Sequence, residues 1–173
     1  MSGAGAEFAR PVPLTRLGSE EFHQRIAADE RERAALARRF DLVSLDRLAA
    51  DIELVREPGG TILLSAAFEA VFAQRCIVTL DPVAGSVSER FQLRYGPPEA
   101  EEEAPGGDDD PAFEPLHGQA IDIGEAVAQE FALALPPFPR APDAVIEAEA
   151  LDEEAPAEGP FAALARLVRR APQ

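Results

Sequence analysis

The chain contains no lysine and no asparagine, and only one cysteine, Cys76. All 16 of its basic residues are arginine, so Schiff-base chemistry, a P-loop lysine and Asn-linked glycosylation are excluded together. One cysteine permits neither an intramolecular disulfide nor a cysteine-based zinc site, which fits a reducing compartment. No stretch approaches the ~20 apolar residues of a membrane span. The opening Met1 to Arg10 also lacks a basic leader followed by an apolar run. The expected location is the cytoplasm, with no membrane partner.

Motifs of catalysis are equally scarce. His23 and His117 stand outside any metal-ligand spacing, no serine occupies a Gly-x-Ser-x-Gly elbow, and no glycine pattern cradles phosphate. Asp108, Asp109 and Asp110 lack the spacing and the glycine of a calcium loop. Cys76 follows Arg75 within a strand-like pattern, where a cysteine ordinarily serves as a small buried hydrophobe. No catalytic residue, cofactor or metal ligand is assigned.

What the chain has in excess is acid, and the excess is local. Of 32 acidic residues, 15 fall in two 16-residue segments, 99–114 and 143–158, neither of which contains an arginine. The formal charge of -16 belongs almost entirely to those segments, and the rest of the chain is nearly neutral. Runs of Glu, Asp, Pro, Gly and Ala bury too little apolar surface to offset their ordering entropy. A single domain over residues 1–173 is therefore expected, with a flexible acidic loop about 97–116 and a flexible acidic tail segment about 143–159. Such segments either solubilise or attract a basic partner. They disfavour sequence-independent binding of nucleic acid, DNA included, which depends on Lys and Arg neutralising phosphates.

Periodicity predicts an α+β fold. Mainly antiparallel strands are flanked by an N-terminal helix, a capped helix after the acidic loop and a short C-terminal helix. Phe8 to Leu14 reads as an extended lead, and Ser19 as the opening of the first helix, whose last turn carries Arg38 and Arg39. From Leu42 to Tyr95 the period is two. Glu57-Pro58-Gly59-Gly60 marks a turn, followed by a long strand through Leu64, Ala66, Phe68, Ala70 and Phe72. Cys76, Val78 and Leu80 continue the sheet up to a turn at Asp81 to Gly85. Val87, Phe91, Leu93 and Tyr95 then return opposite a polar face of Ser88, Arg90, Gln92 and Arg94.

The densest signal lies in residues 121–142. Asp122 is placed as an N-cap, with Glu125 three positions on in the spacing of a capping box. Ile123, Val127, Phe131 and Ala134 or Leu135 form one apolar stripe. Pro136, Pro137, Pro139 and Pro142 then impose an extended path that presents Phe138 and Arg140 with little entropy left to lose on binding. The ordinary alternative is that Phe138 folds back onto the body. After the acidic tail, Phe161, Leu164, Leu167 and Val168 fall on one side of a short helix and Arg166, Arg169 and Arg170 on the other.

Arg75-Cys76-Ile77-Val78-Thr79-Leu80-Asp81-Pro82-Val83, the Ile121 to Pro142 block and the ending Pro160-Phe161-Ala162-Ala163-Leu164 together resemble the YceD family, the large ribosomal RNA subunit accumulation proteins. Many relatives have a Cys-x-Arg-Cys-Leu segment, where this chain has Ala73 and Ile77 at the first cysteine and leucine positions. The resemblance implies a non-enzymatic bacterial factor that supports large-subunit ribosomal RNA accumulation and ribosome assembly. The expected partner is a basic ribosomal protein or an assembly intermediate. Matching the family's pattern, Arg75, Asp122, Glu130, Pro136, Pro139 and Arg140, with Phe138 beside them, form the expected partner-binding surface. An RNA-contacting module using Arg90 and Arg94 on the outer sheet face is the alternative, and a cryptic hydrolase using His23, His117 and carboxylates is a third reading.

Overall fold

The computed structural model describes residues 7–98 and 110–145. The helix expected around Phe161 to Arg170 and the greater part of both acidic segments lie outside them. The first strand, β1 (Pro11–Pro13), is followed by a 3-10 turn at Leu14–Arg16, β2 (Phe22–Ala27) and helix α1 (Glu30–Arg39). Three long strands come next, β3 (Ser44–Arg56), β4 (Ile62–Arg75) and β5 (Pro82–Gly96). The described part ends with β6 (Ala112–Pro115), β7 (Ala120–Asp122) and α2 (Ile123–Ala134). One sheet has the order β2-β3-β4-β5-β6, antiparallel throughout except for the parallel pair β5/β6, and β1 pairs with β7 in a small separate ribbon.

The mainly antiparallel α+β architecture follows the period-two pattern, but the helix expected from Ser19 is not there. Residues Phe22 to Ala27 form an edge strand paired in register with Ala49 to Leu54, and the chain turns helical only at Glu30. Phe22 and Ile26 are four residues apart, a spacing that suits a helix face and one face of a strand equally. The true start carries its own capping box. Asp29 accepts from the Glu32 amide at 2.9 Å, and the Glu32 carboxylate accepts from the Asp29 amide at 2.8 Å.

A second correction concerns the turn after β4. Cys76, Val78 and Leu80 do not continue the strand. Residues 76–81 form a loop closed by hydrogen bonds from Cys76 N to Asp81 O (2.8 Å) and Leu80 N to Cys76 O (3.0 Å), with Leu80 at a φ of 64°. Asp81 to Gly85, read as the turn, mostly lies inside β5. At Gly85 a β-carbon would sit 2.7 Å from the ring of Phe72, so the strand passes closely over that side chain. The turn at Glu57 to Gly60 stands where expected, with Gly59 and Gly60 both at positive φ.

The core lies on one face of the long sheet, under both helices. Ile26, Ile52, Leu54, Leu64, Phe68 and Phe72 point inward from the strands. Ile123, Val127 and Phe131 meet them from α2, as the stripe predicts. Phe131 is its hub, with ring centroids 5.6 Å from Phe72, 5.9 Å from Phe40 and 6.5 Å from Phe68, all edge-on. Such pairs add about 0.5–1.5 kcal/mol each beyond area burial.

Two arginines bind the helices to the N-terminal segment. Arg10 forms a two-pronged pair with Glu32 of α1 (2.6 and 2.8 Å), and Arg39 does the same with Glu125 of α2 (2.6 and 2.8 Å) while also reaching Glu7. The pairing with Arg39 corrects the second capping box, because the Glu125 carboxylate faces α1. Asp122 still caps α2, accepting from the amides of Gly124 and Glu125, and takes a third amide from Arg10 at 2.7 Å.

Candidate interaction surface

The extended segment after α2 is fixed to the end of β4 and to its loop. Gln74 Nε2 donates to the carbonyl of Pro136 (3.1 Å), Ile77 N donates to the carbonyl of Pro139 (2.9 Å), and Ala141 N donates to Cys76 Sγ (3.3 Å). Proline supplies no amide of its own, so the segment is held through its carbonyls and through the Ala141 amide that meets the sulfur. Arg75, Pro136, Phe138, Pro139 and Arg140 are thereby brought to one end of the molecule from positions some 60 residues apart in the chain.

Burial divides this element into an anchor and a display. Cys76 is fully buried, whereas Phe138 is 73% exposed, Leu80 64% and Ile77 51%. An exposed aromatic on a backbone pinned on both sides is an ordered, unpartnered apolar group, the kind that marks interaction sites when clustered with others. Arg75 and Arg140 are exposed at the same end and form no ion pair among the described residues.

The sulfur at the junction is more than core filling. Cys76 Sγ accepts from the amides of Val78 and Thr79 at 3.4 Å as well as from Ala141. The Thr79 hydroxyl, with the amides of Thr79, Ala141 and Val78 behind it, pulls the thiol down from 9.0 to about 6 against the opposing effect of burial. Sequence pattern alone makes Cys76 a small hydrophobe, and nothing in its spacing announces the three amides. Ile77 and Leu80 were also missed as surface groups, because Cys76, Val78 and Leu80 at every second position resembled a strand.

The remaining predicted site residues fall elsewhere. Asp122 uses its carboxylate on three backbone amides at the base of α2. Glu130 lies on the flank of that helix, where burial, and then the carboxylates of Glu114 and Glu89, raise its pKa. Arg90 and Arg94 both project from the outer sheet face, as expected, but in different states. Arg94 is held by Glu57 at 2.9 Å, while Arg90 has no ion pair among the described residues. Arg90 lines a shallow groove of about 870 Å³ together with His23, Arg25, Asp51 and Gln92. Opposite charges are matched across that face, Arg25 with Asp51 and Arg47 with Glu69. His23 pairs with Glu21 at 3.4 Å, and these two exposed residues with the half-buried Glu53 make one group whose ligand-type atoms lie within 4.8 Å of one another. His117 is no part of it.

No helix among the described residues is long and apolar enough to cross a membrane. The model of the family described as large ribosomal RNA subunit accumulation protein YceD matches residues 64–168. That span runs from β4 through the Cys76 loop, the Pro136 to Ala141 segment and the acidic tail. The chain belongs to the YceD family. Its family description places it among factors involved in large-subunit ribosomal RNA accumulation. No curated protein and no solved structure matches the chain.

Proposed function

We propose that this protein is a non-enzymatic cytoplasmic binding factor for large-subunit ribosome assembly. It holds a basic ribosomal protein or an assembly intermediate against the surface formed by Arg75, Ile77, Leu80, Phe138 and Arg140. The observation that carries this reading is the pinning of Pro136, Pro139 and Ala141 to the end of β4, with Phe138 turned to solvent. Binding there costs little ordering entropy, since the backbone is already set. Residues 99–114 and 143–158 contain 15 acids and no arginine, which favours encounter with a basic partner over a Debye length of about 8 Å at physiological salt. Asp122 supports the surface indirectly by fixing the start of α2.

The test is complementation. Cells depleted of the protein are expected to show a lowered ratio of large- to small-subunit ribosomal RNA. The wild type restores the ratio, and a Phe138→Asp, Arg140→Glu variant does not. Full rescue by that variant would remove this surface from the function. Association with precursor particles should also weaken strongly at 0.5 M salt, where the Debye length is about 4 Å.

A second reading rests on Arg90, the outer-face arginine without an ion pair among the described residues, as a contact for RNA. An Arg90→Glu variant that loses crosslinks to RNA while keeping its partner protein would favour it. Retained crosslinks would remove that face from the reading.

A further inference from the structure

The exposed flank of α2 combines charge of one sign with an unburied apolar side chain. Glu130 lies within electrostatic reach of Glu114 on β6 and Glu89 on β5, and none of the three has an ion pair among the described residues. Six arginine or histidine side chains elsewhere are matched with carboxylates, whereas no cation is paired with any member of this group among the described residues. One turn further along the same helix face, Leu133 is 79% exposed, and Val87 lies half-buried two residues before Glu89 on the same face of β5. Carboxylates and apolar side chains on one flank suit an occupant that is apolar and basic at once.

One stretch of this chain has that chemistry. Residues 159–173 contain three arginines and no acid. Phe161, Leu164, Leu167 and Val168 recur there at helical spacing, beside Arg166, Arg169 and Arg170. The family match extends to residue 168, through this stripe and past Val145, where the described residues end. The connection is long enough. Residues 146–160 span up to about 50 Å at full extension, against a radius of gyration of about 14 Å for a body of this size. A tether of that length gives an effective concentration in the millimolar range, which favours the segment over a second copy at ordinary protein concentrations.

We infer that residues 161–170 dock in cis on the flank of α2, with the apolar stripe over Leu133 and Val87 and the arginines against Glu89, Glu114 and Glu130. None of these residues belongs to the set proposed around Phe138, so the two assignments are tested by different substitutions.

The experiment is amide hydrogen exchange of the full-length protein, read by mass spectrometry. In the wild type, amides of 161–168 are expected to exchange at least about tenfold more slowly than an unprotected chain. Glu114→Arg with Glu130→Arg should abolish that protection. Adding Arg166→Glu, Arg169→Glu and Arg170→Glu to the same chain should restore it by charge exchange. The tail substitutions alone, which lie outside the described fold, should remove protection without altering exchange in β3 and β4. Unprotected tail amides in the wild type would overturn the inference. So would protection that survives reversal at Glu114 and Glu130, or protection that disappears on dilution and so belongs to a second copy.

Discussion

Gly124 opens α2 directly beneath the backbone carbonyl oxygen of Phe8, so close that a β-carbon at this position has no room. The obstacle is main chain, held by the Ile123 amide bonding to the Arg10 carbonyl and the Arg10 amide bonding to Asp122, and it cannot swing aside as a side chain would. Gly124→Ala should cost more than about 3 kcal/mol or prevent folding, through overpacking rather than backbone conformation. Gly18→Ala, where a β-carbon meets nothing within 4 Å, is the control and should be near neutral. Urea unfolding followed by far-ultraviolet circular dichroism compares the two.

Phe131 should be the most sensitive core position on α2. It is fully buried and touches three other rings, so Phe131→Ala should lose about 3–5 kcal/mol. Phe131→Leu keeps most of the volume and should lose less. A similar cost for both variants in thermal unfolding would mean that the edge-on ring contacts, and not the filled space, are what the site requires.

The paired carboxylates set an acid limit. Arg10, Arg94 and Arg39 hold Glu32, Glu57 and Glu125 below their ordinary value of 4.5, through hydrogen bonds first. The unfolded chain therefore takes up these protons earlier as pH falls. Their contribution is complete above the ordinary range and is lost as pH drops through the folded values. Arg39→Ala should remove about 1 kcal/mol at neutral pH and flatten the acid side of the stability profile, as read by urea titrations from pH 7 to pH 3.

Cys76 should add a second rise to that profile, on the alkaline side. Its thiol is held at about 6 in the folded protein against 9.0 when free, so between those values the unfolded chain binds more protons and stability rises with pH. The wild type should gain stability from pH 6 to pH 9, and Cys76→Ala should show no such rise. Matching slopes for the two proteins would show that the sulfur takes its three amides as a neutral thiol.

Period and capping made much of the architecture legible. The long strands, the Glu57 to Gly60 turn and α2 with its inward Ile123, Val127 and Phe131 follow from local pattern, because burial on one face leaves few alternatives. The errors arose where one spacing satisfies two structures. Phe22 and Ile26 serve a strand as well as a helix, and Cys76, Val78 and Leu80 alternate like a strand while lining a loop. Pairing across the fold was beyond local reading. Glu125 has the spacing of a capping-box partner, yet its bond to Arg39, 86 residues away, depends on how the helices meet. The candidate surface was legible as far as the prolines, Phe138 and Arg140. Its attachment to Gln74, Ile77 and Cys76 required the sheet to be built first.

The parallel pairing of β5 with β6 separates shape from charge in the acidic segment between them. A chain that leaves β5 at Gly96 must travel back before Ala112 can lie beside Leu93, a return that antiparallel neighbours never make. The topology therefore demands length from residues 97–111, a requirement that is separate from their charge. A connection of equal length written in neutral residues would keep β6 in place, making the net charge of the molecule adjustable without disturbing its sheet.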